Sequence, residues 1–281
     1  MEIQSVGICG AGTMGSGIAQ VCATAGFHAT LYDVNDDILE KAKSSIQKNL
    51  RTLFEKNKIN EKEKDEALER IHFVTDQKQC KADLIIEAIV ENIEAKTSLF
   101  NHLSNVNGSK TIYATNTSSL SVSEIAGRFS YPQRMAGMHF FNPAPIMKLV
   151  EVVTAEKTSA DVVQTIVAFA NQLGKIPVIC KDSPGFIVNR VARPFYIESL
   201  RLIEEGHAGF ATIDHLLEAA GFRMGPFKLM DLIGNDVNYA VSLSVYEQLN
   251  KPERLKPSEI QKEKVENGEL GKKTGRGYYQ Y

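Results

Sequence analysis

The stretch Ser5–Asp33 constrains the fold more than any other part of the chain. Two short apolar runs, SVGIC (Ser5–Cys9) and ATLYD (Ala29–Asp33), flank a helical segment of small residues from Gly15 to Gly26. Apolar runs of that length read as buried strands. A strand–helix–strand unit of about thirty residues is the size of one parallel crossover. Between the first strand and the helix lies GAGTMG, which sets Gly10, Gly12 and Gly15 in the spacing G-x-G-x-x-G. The spacing alone is weak. Its place after a strand and at the opening of a helix, with Asp33 closing the next strand, meets the conditions for a dinucleotide-binding turn. Gly10 permits the tight turn, Gly12 lets the backbone approach a pyrophosphate, and Gly15 lets the helix pack close on the strand. Thr13 and Met14 lie between the glycines and count with them as cofactor-binding candidates, and the helix N-terminus favours the phosphate charge. Asp33 can accept hydrogen bonds from ribose hydroxyls and would repel a 2′-phosphate, which favours NAD over NADP. The plain alternative is a generic strand–helix turn with a capping Asp.

The same alternation continues. A polar helix is predicted from Asp36 to about Lys58, with Ile38, Leu39, Ala42, Ile46, Leu50 and Leu53 on one side, and a charged helix over Glu61–Arg70. Further strands are expected at Ile71–Thr75, Asp83–Ile89, Thr111–Thr115, Met135–Phe141 and Ile146–Val153. Strands separated by helices imply an α/β fold with a mostly parallel, Rossmann-like sheet. The last two strands are joined too tightly for a crossover, so they should form an antiparallel hairpin at the sheet edge. From Ile187 onward only helices and loops are predicted, including one over Arg193–Gly206. Pro184 and Gly185 mark the change. The predicted domains are therefore 1–184, dinucleotide-binding, and 185–281, all-α.

The hairpin carries the second candidate site. Pro145 lies six residues after His139 and six before Glu151, so an unbulged hairpin sets the two side chains opposite each other. The carboxylate would then fix the imidazole tautomer and stabilise the protonated ring, leaving the other nitrogen to take a proton. A lone histidine in a strand is more often a satisfied core residue. A glutamate at the mirrored position of an apolar strand shifts the balance, because a buried charge needs a partner. A third cluster is ATNTSSLSVSEIA. Ser121 and Glu124 fit a helix-capping box, but Asn116 and Ser118 are left over at the C-terminal end of a strand, where ligands gather in such sheets.

With 32 basic and 34 acidic residues the formal charge is −2, which gives no global attraction to nucleic acid or to an anionic membrane. Cys9, Cys22, Cys80 and Cys180 lack zinc-like spacing and read as reduced, buried thiols. No apolar run is long enough for a bilayer. The start MEIQSVGICG shows no signal or transit peptide, so the expectation is a cytoplasmic protein.

Taken in order, GAGTMGSGIA, IVEN, NTSSLS, GMHFFNPAPIMKLVEVV, DSPGFIVNR, MGPFKLMDLIG and GRGYYQY resemble the 3-hydroxyacyl-CoA dehydrogenase family over essentially the whole chain. They are most similar to its short bacterial, 3-hydroxybutyryl-CoA type. The resemblance implies an NAD-binding domain, a helical domain that forms a homodimer, and an acyl-CoA substrate. It implies that His139 is the catalytic base, Glu151 its partner, Ser118 a contact to the substrate oxygen and Asn189 the residue that completes the site. It sets Glu91, Lys96, Asn116 and Asn142 near the nicotinamide half of the cofactor. The long helix after Asp33 would meet the CoA nucleotide, with Lys48, Arg51 and Lys56 as phosphate contacts. Three competing readings stand beside it. One is a 3-hydroxyadipyl-CoA dehydrogenase, which needs a cation such as Arg190, Arg193 or Arg223 near the distal carboxylate. The others are a dehydrogenase of free β-hydroxyacids and a non-catalytic, crystallin-like relative.

Overall fold

The computed structural model describes residues 2–281, in two compact units, one ending at Asp182 and the other spanning Ser183–Tyr281. The first unit is built on one eight-stranded sheet in the order β3-β2-β1-β4-β5-β6-β7-β8. Its strands are β1 (Ser5–Cys9), β2 (His28–Tyr32), β3 (Ile71–Val74), β4 (Leu84–Glu87), β5 (Ile112–Thr115), β6 (Met135–Phe140), β7 (Leu149–Thr154) and β8 (Ile176–Lys181). All neighbouring strands are parallel except β6 and β7. The helices α1 (Thr13–Thr24), α2 (Asp36–Glu55), α3 (Glu61–Glu69), α4 (Ile93–Asn107), α5 (Val122–Gly127) and α6 (Ala160–Gln172) supply the connections.

Local chemistry explains where these elements start. Asn35 opens α2 by accepting hydrogen bonds from the amides of Asp37 and Ile38, and Asn60 opens α3 through a reciprocal box with Glu63. Leu39, Ala42, Ile46 and Leu50 of α2 are buried in the main core, and Leu53 packs against it. Ile38 is instead exposed, since a helix winds one end of a long apolar stripe off the contact line.

The expected hairpin exists, but it is not the edge of the sheet. β8, which the sequence reading did not name as a strand, runs parallel to β7 and covers it. Ile176, Val178 and Ile179 of β8 remain exposed, and Pro177 interrupts the strand pattern. The second hairpin strand starts at Leu149 instead of Ile146, because residues 141–148 form the connection. Lys175, just before β8, braces that connection by donating to the carbonyls of Ala144 (2.5 Å) and Met147 (2.8 Å). Cys9, Cys22 and Cys80 are buried and unbridged, whereas Cys180 is only half-buried.

The second unit contains α7 (Val188–Glu204), α8 (Phe210–Ala219), α9 (Pro226–Ile233), α10 (Asn235–Gln248) and α11 (Glu259–Glu266). Tyr196, Leu200, Ile213, Phe227, Met230 and Tyr278 form its core. Buried Asp214 accepts the amides of Phe227 (2.9 Å) and Lys228 (3.0 Å), and so caps α9. Among the described residues, no helix is long and apolar enough to cross a membrane.

Leu50 is fully buried, whereas its neighbour Arg51 forms an exposed pair with Glu55. Leu50→Ala should therefore cost about 2–5 kcal/mol, and Arg51→Ala less than about 1 kcal/mol, both read from urea denaturation.

Candidate active site

The glycine loop joins β1 to α1. Gly10 has φ +98°, and a Cβ there would lie 2.5 Å from the Ala88 carbonyl oxygen. A Cβ on Gly15 would lie 1.7 Å from the carbonyl oxygen of Gly10, so the helix seats on the loop only without a side chain. At Gly12 a Cβ meets nothing within 4 Å. No side chain caps α1, and its first turn has no acidic residue. Its leading amides and dipole are thus left for an anion. Thr13 is exposed, and Met14 packs against the core. The Asp33 carboxylate accepts the amides of Ala11 (2.8 Å) and Asn35 (3.0 Å), which ties the end of β2 to the loop. An uncapped helix, open space at Gly12 and a carboxylate beside the loop fit a dinucleotide.

A cavity of about 340 Å³ adjoins this loop. Gly12, Thr13 and Asn142 line it, together with Lys41, Ser45 and Asn49 of α2. The structure therefore joins Asn142 to the glycine loop. It does not bring Lys48, Arg51 or Lys56 to the cavity wall; all three are exposed. Lys41, Ser45 and Asn49 recur every fourth residue beside the apolar stripe, and that period was the available signal for the face that lines the cavity.

In the hairpin, His139 pairs directly with Glu151, the register expected from the turn. Nδ1 of His139 lies 2.7 Å from Oε2 of Glu151, and both side chains are buried. A carboxylate only accepts, so Nδ1 carries the proton and donates it, and the second ring nitrogen, Nε2, is the basic one. The Phe141 ring packs against the imidazole at 4.5 Å between centroids.

The loop after β5 is held from below. Asn116 accepts the amide of Phe140, next to His139, at 2.8 Å. Oε1 of Glu91 accepts the Thr117 hydroxyl (2.5 Å), the Ser118 amide (3.1 Å) and both the amide and hydroxyl of Ser119. Lys96 lies beneath the loop with its ammonium 2.5 Å from Glu87 and 3.1 Å from Glu91. It is 1% exposed, so it acts on the Ser118 loop through Glu91. Burial raises the Glu87 pKa against the pull of Lys96. Burial also pushes Glu91 up, but Lys96 and the hydroxyl donors outweigh it and hold that carboxyl below its usual range. Ser121 accepts the Glu124 amide as expected, while its own hydroxyl donates to Asp182. Asn189 sits in the first turn of α7 in the second unit, where its carbonyl accepts Nε of Arg193.

The sheet, the glycine turn and the acidic residue after β2 define a dinucleotide-binding oxidoreductase fold. Residues 5–183 match the NAD-binding domain of 3-hydroxyacyl-CoA dehydrogenase, and residues 185–281 match its C-terminal domain. The chain is 45% identical over its full length to the 3-hydroxyadipyl-CoA dehydrogenase of Escherichia coli K12, of which it spans 60%. It is 41% identical to a probable 3-hydroxybutyryl-CoA dehydrogenase of Bacillus subtilis, covering 98% of that protein. The solved (S)-3-hydroxybutyryl-CoA dehydrogenase of Ralstonia eutropha superposes with a TM-score of 0.95 at 38% identity, covering 100% of this chain and 99% of that one. The chain belongs to the 3-hydroxyacyl-CoA dehydrogenase family, and its cofactor is NAD.

The glycine geometry separates two effects. Gly15→Ala should destabilise the fold by more than about 2 kcal/mol, because backbone must move. Gly12→Ala should change stability by less than about 0.5 kcal/mol yet weaken NADH binding about tenfold or more, since the methyl enters the pyrophosphate approach. Urea denaturation and NADH fluorescence titration read the two. Lys96→Met should cost about 3–5 kcal/mol by stranding Glu87. With a raised pKa, Glu87 binds its proton more tightly in the folded state, so this cost should shrink at acidic pH and grow as pH rises. Denaturation at several pH values checks it.

Proposed function

We propose that the protein catalyses the reversible oxidation of an L-3-hydroxyacyl-CoA to the 3-ketoacyl-CoA. The observation that carries this reading is the buried His139–Glu151 pair, set in the hairpin whose connection reaches the glycine-loop cavity. Gly10, Gly12, Thr13, Met14, Gly15 and Asp33 hold the dinucleotide, and Glu91, Asn116 and Asn142 lie toward its nicotinamide half. NAD, when bound, supplies the hydride acceptor. His139 Nε2 takes the proton of the substrate hydroxyl, and Glu151 stabilises the imidazolium that results. In reduction the same imidazolium returns the proton to the developing alkoxide. Ser118 orients the reacting oxygen, on a loop whose backbone Glu91 already fixes, so little ordering remains when substrate arrives. Asn189 is assigned to the substrate on the family resemblance alone.

The CoA arm is assigned to the α2 side of the glycine-loop cavity, with Lys41, Ser45 and Asn49 better supported as contacts than Lys48, Arg51 and Lys56. Two substrates are proposed: the short-chain 3-hydroxybutyryl-CoA, in line with the names of the Bacillus and Ralstonia relatives, and 3-hydroxyadipyl-CoA, in line with the name of the E. coli relative. A crystallin-like, non-catalytic role is disfavoured, because burying Glu151 against a histidine has no use in a merely structural strand. Val191, Leu216, Phe222, Leu232 and Val237 are large exposed apolar residues of the helical unit, and they support a homodimer formed through it. A cytoplasmic location accords with the three buried, unbridged thiols.

The test is NADH consumption with acetoacetyl-CoA, beside NADPH and beside free acetoacetate. Turnover should require both NADH and the CoA ester. His139→Gln should keep NADH affinity and lose about 10²- to 10⁴-fold in kcat. Wild-type turnover in that variant would remove His139 from the reaction.

A further inference from the structure

We propose that Arg193 is a specificity residue that receives a terminal carboxylate on the acyl tail, so that the site selects dicarboxylic 3-hydroxyacyl-CoA esters. This rests on the reading that Asn189 touches the substrate.

Arg193 is 3% exposed, yet its guanidinium meets only neutral acceptors. Nε donates to the Asn189 carbonyl (2.9 Å), and Nη1 donates to the Asn238 carbonyl (3.0 Å) and the Ser242 hydroxyl (2.8 Å). The Tyr196 ring lies 4.9 Å from Cζ. Among the described residues, no carboxylate stands at ion-pair distance from it and Nη2 has no hydrogen bond. Lys96, equally buried, has two carboxylates. Burial lowers the Arg193 pKa only to about 10, so the group remains a cation at neutral pH. A buried charge without a counter-charge is costly to keep. It has a use where an anion arrives with a ligand, and the planar fork suits a carboxylate.

Position selects which anion. Arg193 is one helical turn beyond Asn189 on α7 and bonded to its carbonyl, so the two side chains share a face about 5–6 Å apart. Three consecutive carbon–carbon bonds, extended, span about 3.9 Å, and the carboxylate oxygens reach about 1 Å further. With C3 of the acyl group held at Asn189, a six-carbon dicarboxylic chain carries its distal carboxylate about one helical turn away.

The experiment compares 3-ketoadipyl-CoA with 3-ketohexanoyl-CoA, which differ only in a terminal carboxylate against a methyl, on the NADH-loaded enzyme. The expected result is a kcat/KM at least about tenfold higher for the dicarboxylic ester. Arg193→Met should abolish that ratio, and Arg193→Lys should keep part of it. A wild-type ratio of one or less overturns the proposal. So does a ratio that survives in Arg193→Met while both rates fall, because the cation then only braces α7 against α10. Should the variants not fold, binding of adipyl-CoA and hexanoyl-CoA to the wild type decides: tighter adipyl-CoA binding supports the assignment, and equal binding overturns it. Failure to reduce any 3-ketoacyl-CoA, despite NADH binding, would remove the dehydrogenase reading and this proposal with it. Rapid reduction of acetoacetyl-CoA with no preference for the carboxylate would remove this proposal alone.

Discussion

Two carboxylates buried in the sheet organise the first unit, because neither can stay charged there without partners. Glu87 ends β4 and is answered by Lys96, by the Thr115 hydroxyl and by the Ile89 amide. Glu151 lies in β7 and is answered by His139 across the hairpin. The first network stiffens the loop that carries Ser118. The second fixes which nitrogen of the histidine is basic. Both sit among apolar strands, where the local dielectric is low and each polar contact is strong if made and costly if missing.

The arrangement divides labour between backbone and side chains. The cofactor end is mostly backbone: a turn, a helix start and glycines that keep space clear. The end proposed for the chemistry is mostly side chains, and these are braced. Asn116 is tied to the strand beside His139, Glu91 gathers the amides after Thr117, and Lys175 holds the hairpin connection. Preorganisation of this kind lowers the cost of assembling the reacting geometry when ligand binds.

Much of this could be read from the sequence where the signal is local. The glycine spacing, the strand–helix alternation and the position of Asp33 all lie within thirty residues. The His139–Glu151 pairing followed from counting outward from Pro145, because the connection 141–148 is centred close to that residue. The sequence did not show β8 as a strand, because Pro177 and three exposed apolar residues obscure the strand pattern. Nor did it show that Lys96 and Lys175 are buried, because their partners come from other elements. Basic residues on α2 drew attention to Lys48, Arg51 and Lys56, whereas the cavity wall uses the neighbouring face. The neutral surroundings of Arg193 depend on α10, 45 residues away from it in sequence, and nothing in α7 alone reveals them.

The covering of the hairpin by β8 has an evolutionary corollary. β7 is laced on both sides, by an antiparallel ladder to β6 and a parallel ladder to β8. An insertion in residues 141–148 can be absorbed by the connection, so length variation there is compatible with descent from a working ancestor. A one-residue insertion inside β7 would turn Glu151 to the opposite face while leaving a strand for β8 to pair with. Such a lineage would separate Glu151 from His139 and leave a carboxylate unpaired in a strand buried on both faces. The register of β7 is therefore constrained where the length of the connection is not.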